Sequence, residues 1–315
     1  MNRRSFLLST ALMAPIMAKA IRTGSLNPEL DFSFVKPSFK LSLAPWSLMR
    51  KPAGNPDAQG IQLMDYPMVA RELGFKAIEQ DNLHFPGELP NQGLLTKMKK
   101  RADEAGVIHT LLLCGALGDI ADTNKNKRRK AIKKYQTWLE AAKFLGCYQM
   151  RIVCADRITI SRTEKLKYAV EGVSSMAEYA EKHNMELLIE NHNGYSSDPD
   201  WLLELIKTVG MKNCGILGDF TEWRMEHEPL KMYPDPYKGY KILAPHIKSV
   251  GAKSVDFDEA GNETNVDYFK MLQILADFEY KGYVAVEYFG EALPRKKGIT
   301  MTKHLIEKFV KSFEE

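Results

Sequence analysis

The sequence predicts an α/β fold, a single closed (β/α)8 or TIM barrel, on three observations. Short apolar runs recur eight times from residue 40 onward, amphipathic stretches separate them, and polar residues follow nearly every run. Near-continuous apolar runs are typical of parallel strands that are covered on both faces. Eight strand–helix pairs in about 275 residues fit a closed barrel. An open doubly wound sheet is the alternative, but no glycine-rich phosphate loop follows an early run.

The eight predicted strands are rich in residues that favour extended backbone. In chain order they are "LSLAPWSL" (41–48), "FKAIEQ" (75–80), "VIHTLLLC" (107–114), "YQMRIVCA" (148–155), "MELLIE" (185–190), "CGILGDF" (214–220), "HIKSVGA" (246–252) and "YVAVEYF" (283–289). Each run is short, as expected for a strand that crosses a barrel once.

The stretches between the strands carry helix signals. Residues 164–182 place apolar side chains at three- and four-residue steps, which predicts one apolar stripe that packs on the sheet. Ser197 or Asp198 followed by Pro199 predicts the cap and first turn of a helix over 200–209. Glycines that can end a helix precede five of the strands: Gly74, Gly106, Gly146, Gly210 and Gly282.

The first twenty residues are typical of a targeting segment. Arg3 and Arg4 precede an apolar stretch over 6–17, and Ala18-Lys19-Ala20 then offers the small residues that a signal peptidase requires. The arginine pair resembles a twin-arginine signal, which predicts export of the folded protein to the periplasm. An amphipathic N-terminal helix or a retained anchor is the alternative. The apolar stretch is short for a membrane span, so no stable membrane insertion is expected after signal removal.

These signals divide the chain into three predicted regions. They are a signal peptide over 1–20, an N-terminal extension over 21–39 and the barrel over 40–315. Of the 44 basic residues, three lie in the predicted signal without a nearby acid, which leaves 41 basic against 40 acidic residues. A near-neutral body is not suited to polyanions, so no nucleic-acid partner is predicted. An oligomer remains possible.

Several polar side chains lie where the predicted strands end or begin, and in a barrel the carboxyl ends of the strands share one mouth. They are Glu190 and His192, Asp219, His246 and Glu287. Three carboxylates in one mouth repel one another unless a cation offsets them. We therefore predict one divalent metal (Mn²⁺, Mg²⁺, Co²⁺ or Zn²⁺) bound by Glu190, Asp219, His246 and Glu287. The alternatives are a salt bridge from Glu287 to Arg151 or Lys248, and a core role for His246.

Seven stretches together resemble the xylose isomerase-like sugar phosphate isomerase/epimerase family over roughly residues 40–312. They are "LSLAPWSL", "GFKAIE", "AAKFLGC", "LLIENHNG", "GILGDF", "DFDEAGNET" and "GYVAVEYFGE". The resemblance implies a (β/α)8 barrel that holds one divalent metal between two glutamates, an aspartate and a histidine. Carried onto this sequence, it implies the same four ligands. It leaves the reaction open, since isomerases, epimerases, dehydratases and lyases share the fold.

The chemistry expected of such a site is proton abstraction next to a carbonyl of a small carbohydrate. Glu190, Glu287 and His192 are the predicted acid–base groups. Six residues are predicted to contact the substrate: Trp46, Glu79, Arg151, Trp223, Lys248 and Lys253. Export predicts an unphosphorylated sugar or sugar derivative, because phosphosugars are cytoplasmic. A lyase or hydrolase acting on 3-keto-glycosides and a two-glutamate glycosidase are the alternatives.

Overall fold

The computed structural model describes residues 37–49, 60–155, 158, 160–226 and 229–314, which fall in one compact unit. The predicted signal peptide lies outside the described residues. So does the predicted extension over 21–39, except for its last three residues. Within the described part of the chain, none of the helices combines the length and the apolar character needed to cross a bilayer.

Eight parallel strands close into a barrel, as the sequence predicts. The strands of the described residues are β1 (Lys40–Leu43), β2 (Ala77–Asp81), β3 (Ile108–Cys114), β4 (Gln149–Ile152), β5 (Glu186–Glu190), β6 (Cys214–Asp219), β7 (Arg224–Glu226), β8 (Lys231–Met232), β9 (Ile247–Ser254) and β10 (Tyr283–Tyr288). The ring order is β1-β10-β9-β6-β5-β4-β3-β2, and the pair Leu43 and Ile78 closes β1 onto β2. Because the sheet closes, the open doubly wound alternative is wrong.

Helices surround the barrel. They are α1 (Trp46–Met49), α2 (Tyr66–Glu72), α3 (Gln92–Ala105), α4 (Lys125–Leu145), α5 (Arg162–Lys182), α6 (Pro199–Val209), α7 (Pro236–Leu243), α8 (Tyr268–Asp277) and α9 (Arg295–Lys311). Strands β7 and β8 form a small antiparallel hairpin between β6 and α7. Short 3-10 turns precede β9 and follow β2 and β5.

The helix ends follow from the residues at their caps. Asp198 caps α6 by accepting hydrogen bonds from the backbone N–H groups of Asp200 and Trp201, and Pro199 occupies the first turn. At the other end of α6, Gly210 has a φ of 64°, a left-handed conformation that ends the helix. Helix α5 begins two residues before the stripe predicted over 164–182 and ends with it at Lys182.

The described residues form two apolar clusters that hold the barrel together. The larger fills the space between the strands and the helices, and the smaller lies within the barrel. The smaller cluster consists of Leu111, Leu113, Leu188 and Leu217, with Trp46 packed against it. Side chains alternate sides along a strand, so the residues two positions beyond these leucines point into the barrel mouth. The cluster therefore forms the floor beneath the polar residues of the barrel mouth.

Candidate active site

The carboxyl ends of the barrel strands open onto a cavity of ≈ 310 Å³. Its wall carries an unusual number of charged side chains. The acidic residues are Glu79, Asp81, Glu190, Glu222 and Glu287, and the others are Arg151, Lys253 and His192. Apolar contact comes from Trp46, Leu113, Leu217 and Phe289. A pocket of this size, with convergent polar groups on an apolar floor, is suited to one small molecule.

The segment "ENHN" after β5 alternates between cavity and scaffold. Glu190 and His192 both line the cavity, as the period of two predicts. Asn191 points the other way: its side-chain oxygen accepts from the backbone N–H of Asp219 at 2.8 Å, and its amide donates to the Asp219 carbonyl oxygen at 3.1 Å. Asn193 has a φ of 58° and accepts a hydrogen bond from Arg224. Two asparagines thus fix the backbone that presents Glu190 and His192.

Asp219 builds a turn that positions Glu222. Its Oδ1 accepts hydrogen bonds from the backbone N–H groups of Thr221, at 2.7 Å, and Glu222, at 3.1 Å. The Thr221 hydroxyl donates to the same oxygen. The side chain of Glu222 then reaches the cavity wall beside Lys253.

Lys253 lies in the middle of three carboxylates. Its Nζ is 2.6 Å from Glu222 Oε1, 3.2 Å from Asp219 Oδ2 and 4.0 Å from Glu287 Oε2. The register of the sheet brings these groups together. Lys253 on β9 pairs with Glu287 on β10, and Gly251, two residues before Lys253, pairs with Asp219 on β6. The residue is 8 % exposed.

A second cation, Arg151, lies on the cavity wall formed by β4 and β5. Arg151 Nε on β4 is 3.0 Å from Glu190 Oε2 on β5, and both side chains are buried. Neither of these two atoms has a hydrogen-bond partner among the described residues, so their charges pair without an aligned hydrogen bond. Arg151, a predicted substrate contact, lies on the cavity wall.

Trp46 and Glu79 complete the wall on the side of β1 and β2. Trp46 donates a hydrogen bond from its indole nitrogen to Asp81 Oδ2 at 2.8 Å, which fixes the ring at the cavity edge. Glu79 lies deeper and accepts a long hydrogen bond of 3.5 Å from the Ser42 hydroxyl. Both residues line the cavity.

Burial shifts the pKa of several of these acids. Desolvation, reinforced by Glu287, raises the pKa of Glu79 to about 8, so it is largely protonated at neutral pH. Desolvation also raises the pKa of Glu287 to about 7 and that of Asp219 to about 6, in both cases against the opposing charge of Lys253. For Glu222 the desolvation is outweighed by Lys253 and His192, and its pKa falls to about 2. The cavity therefore contains both protonated and ionised carboxyl groups.

Contrary to prediction, three of the predicted site residues do not line this cavity. His246 precedes β9 at its amino end, roughly 16 Å of extended strand from Gly251. Lys248 is at the same end of the barrel and pairs with Glu186. Trp223 is 2 % exposed, packs beside Tyr240 and donates to the Phe220 carbonyl oxygen, so it belongs to the core. His246 and Lys248 lie away from the mouth because only the carboxyl end of a parallel strand reaches it.

Three of the charged or aromatic cavity residues were not predicted. Asp81 and Phe289 follow Glu79 and Glu287 by two positions, and the period of two could have identified both. Glu222 lies in the turn after β6, where no regular period applies.

The arrangement of side chains does not fit the predicted divalent metal. The described residues contain no group of three or more histidine, cysteine, aspartate or glutamate side chains placed to bind a metal ion. The Lys253 ammonium occupies the space between Asp219 and Glu287, and the β9 residue in register with Asp219 is a glycine. His246 lies at the opposite end of β9. We therefore derive no catalytic step from a metal.

Comparison with known proteins identifies the family. Residues 68–308 match the family described as xylose isomerase-like TIM barrel. The chain belongs to this family. No curated protein matches the sequence significantly.

Solved structures of the family share the fold at low sequence identity. The apo form of 3-keto-D-glucoside 4-epimerase from E. coli is 16% identical, with a TM-score of 0.64 over 86% of this chain and 100% of its own. An L-ribulose 3-epimerase is 14% identical, with a TM-score of 0.69 over 88% and 96%. A xylose isomerase-like TIM barrel protein from Mycobacterium smegmatis, in complex with magnesium, is 16% identical, with a TM-score of 0.66 over 88% and 98%. At these identities the likeness shows the fold.

Proposed function

We propose that this protein is a carbohydrate isomerase or epimerase that moves a proton at a carbon next to a carbonyl of an unphosphorylated sugar or sugar derivative. One observation carries the proposal. Glu190 on β5 and Glu287 on β10 line one cavity and lie three strands apart in a ring of eight, on nearly opposite walls. A substrate carbon between them is accessible to a carboxyl group on either face.

The proposed reaction begins when one glutamate removes the proton from the carbon beside the carbonyl. The electron pair left on carbon moves into the carbonyl, whose oxygen becomes negatively charged. Return of a proton to the opposite face by the other glutamate inverts that carbon, which is epimerisation. Return to the neighbouring carbon, with His192 moving a proton between the two substrate oxygens, gives isomerisation.

The charge of the cavity favours an unphosphorylated substrate. Five acidic side chains line the wall, and its lysine and arginine are already paired with carboxylates. A phosphate dianion there would lie close to carboxylates, and both described wall cations that could bind it are already paired. The volume of ≈ 310 Å³ is at the low end of the range for small-molecule pockets and suits one sugar ring. The epimerases among the structural relatives agree with this class of substrate.

The proposal is tested with a panel of substrates in D₂O, read by NMR. The panel contains free ketoses, their phosphate esters and a 3-keto-glucoside. We expect turnover of an unphosphorylated compound, with deuterium appearing at the carbon next to its carbonyl. Loss of the aglycone from the 3-keto-glucoside after exchange would identify the lyase alternative, which starts with the same abstraction. Hydrolysis of glycosides without any exchange would refute the proposal and support a glycosidase.

A further inference from the structure

The position between Asp219 and Glu287 already holds a positive charge that belongs to the chain. Lys253 Nζ contacts one oxygen from each of three acidic residues, Asp219, Glu222 and Glu287, at 2.6 to 4.0 Å. These acids come from β6, from the turn after β6 and from β10, on the two sides of β9. The ammonium therefore lies at the point toward which the carboxylates converge.

A metal ion would have to displace this ammonium. Oxygen ligands lie about 2.0–2.2 Å from Mg²⁺ or Zn²⁺, so an ion bound to Asp219 Oδ2 would occupy the space that Lys253 Nζ fills at 3.2 Å. The other oxygen of Asp219 accepts three hydrogen bonds from Thr221 and Glu222. Gly251 brings no ligand to this level of β9, and a Cβ there would lie 3.1 Å from Asp219 Oδ2.

The remaining acidic residue among the predicted ligands, Glu190, has its own cation. Glu190 pairs with Arg151 at 3.0 Å, on the wall formed by β4 and β5. Removing a partner from a buried charge pair is costly, so the acids and the two cations form a mutually dependent set. The repulsion between the carboxylates, which predicted a metal, is offset by the two side chains Lys253 and Arg151.

We propose that Lys253 takes the role of the divalent metal, and that the enzyme works without one. This inference rests on the proposed function for its chemistry. The ammonium donates a hydrogen bond to Glu222 and forms an ion pair with Asp219, and an N–H that makes neither contact can donate to the substrate's carbonyl oxygen. When a glutamate removes the neighbouring proton, the electron pair moves onto that oxygen, and the ammonium stabilises the negative charge. The oxygen returns to a carbonyl when carbon is reprotonated, so the lysine neither gains nor loses a proton.

The first test uses the wild-type protein as purified and after dialysis against EDTA. Elemental analysis gives its metal content, and the melting temperature is measured with Mn²⁺, Mg²⁺ or Zn²⁺ added singly. We expect substoichiometric metal, no saturable rise in melting temperature and an unchanged rate of deuterium exchange after EDTA. One tightly bound ion per chain, with exchange lost in EDTA and restored by that ion, would overturn the inference and leave the proton-transfer proposal standing.

The second test replaces the ammonium while keeping most of its stem. We expect Lys253→Met to slow deuterium exchange by about 100-fold or more, the usual effect of losing a group that stabilises an oxyanion. The matched control is Lys248→Met, which removes a lysine from the same strand at the opposite end of the barrel. We expect the control to exchange at the wild-type rate.

The two proposals fail in different ways. Exchange at the wild-type rate in Lys253→Met would overturn the role of the lysine. If Lys253→Met does not fold, the metal content and metal response of the wild type still decide the inference. If no sugar in the panel exchanges, the proposed function fails, whereas elemental analysis and the melting temperatures still show whether a metal occupies the cavity.

Discussion

At the scale of single residues, Glu190 and Glu186 are two glutamates on the same strand, and we expect only Glu190 to take part in catalysis. Glu190 lines the cavity, whereas Glu186 pairs with Lys248 at the amino end of β5. We expect Glu190→Gln to slow substrate proton exchange by roughly 100-fold or more, because the variant lacks a carboxylate that can accept a proton. NMR in D₂O measures the exchange, and thermal melting confirms folding.

Glu186→Gln is the matched control, and we expect it to retain the wild-type exchange rate. Equal losses in the two variants would show that the effect comes from the stability of β5 rather than from the cavity.

His109 predicts how stability depends on pH. It is buried on β3, with Nδ1 3.3 Å from the Gln80 amide, and burial lowers its pKa from 6.5 to about 4. Between these values the unfolded chain binds a proton that the folded chain does not, so stability is lost as pH falls from about 6.5 toward 4. His109→Gln removes this contribution. We compare the unfolding free energy of the wild type with that of His109→Gln. Relative to the variant, the wild type should lose about 3 kcal/mol between pH 7 and pH 4.

Urea denaturation at several pH values measures that difference. Groups common to both proteins cancel in the comparison. A difference that stays constant with pH would contradict the assigned burial of the imidazole.

Sequence reasoning succeeds at this scale where a regular period applies. The alternation along β5 predicts that Glu190 and His192 share a face, and both line the cavity. Position along β9 could have favoured Lys253 over Lys248, but it does not identify the partner of either lysine, because that depends on which acids the neighbouring strands bring alongside. Those neighbours are far apart in sequence. Glu222 is set by a turn hydrogen bond to Asp219, which the residue pattern does not show.

At the scale of elements, helix α5 packs so closely that one position requires glycine. A Cβ on Gly172 would lie 2.0 Å from the carbonyl oxygen of Ile120. We expect Gly172→Ala to destabilise the protein by about 1–3 kcal/mol or more, because backbone rather than a flexible side chain must move. Chemical denaturation measures the loss.

Gly93→Ala in α3 is the control. The nearest atom to its added Cβ is the Asn91 side-chain oxygen, 3.3 Å away. Alanine favours the middle of a helix over glycine by about 0.5–1 kcal/mol, but Gly93 is the second residue of α3 and its added methyl would crowd the capping oxygen, so we expect little net change. A Gly172→Ala protein as stable as the control would show that α5 packs less tightly than described.

The order and type of the elements were predictable because apolar runs and helix caps are local signals. All eight predicted barrel strands form, and Asp198 caps α6 as the sequence indicates. The hairpin of β7 and β8 was not predicted. Its strands are only three and two residues long, and no sequence period is visible at that length.

At the scale of the whole molecule, we propose that residues 1–20 direct export and are then removed. The arginine pair, the apolar stretch and Ala18-Lys19-Ala20 motivate the proposal. We expect the exported protein to begin close to Ile21, and N-terminal sequencing of the periplasmic fraction measures this. Replacing Arg3 and Arg4 with lysines should block export if the twin-arginine export machinery recognises the pair. An intact Met1 or Asn2 on cytoplasmic protein would contradict the proposal.

The central claim is that the barrel mouth transfers a proton at the carbon beside a sugar carbonyl, with charge supplied by the chain itself. The most direct test is deuterium exchange of a turned-over sugar by the wild-type protein in D₂O containing excess EDTA. We predict that deuterium enters at that one carbon at the rate seen without EDTA, and that Glu287→Gln suppresses its entry by roughly 100-fold or more. Turnover that leaves the hydrogen on this carbon in place would contradict the claim.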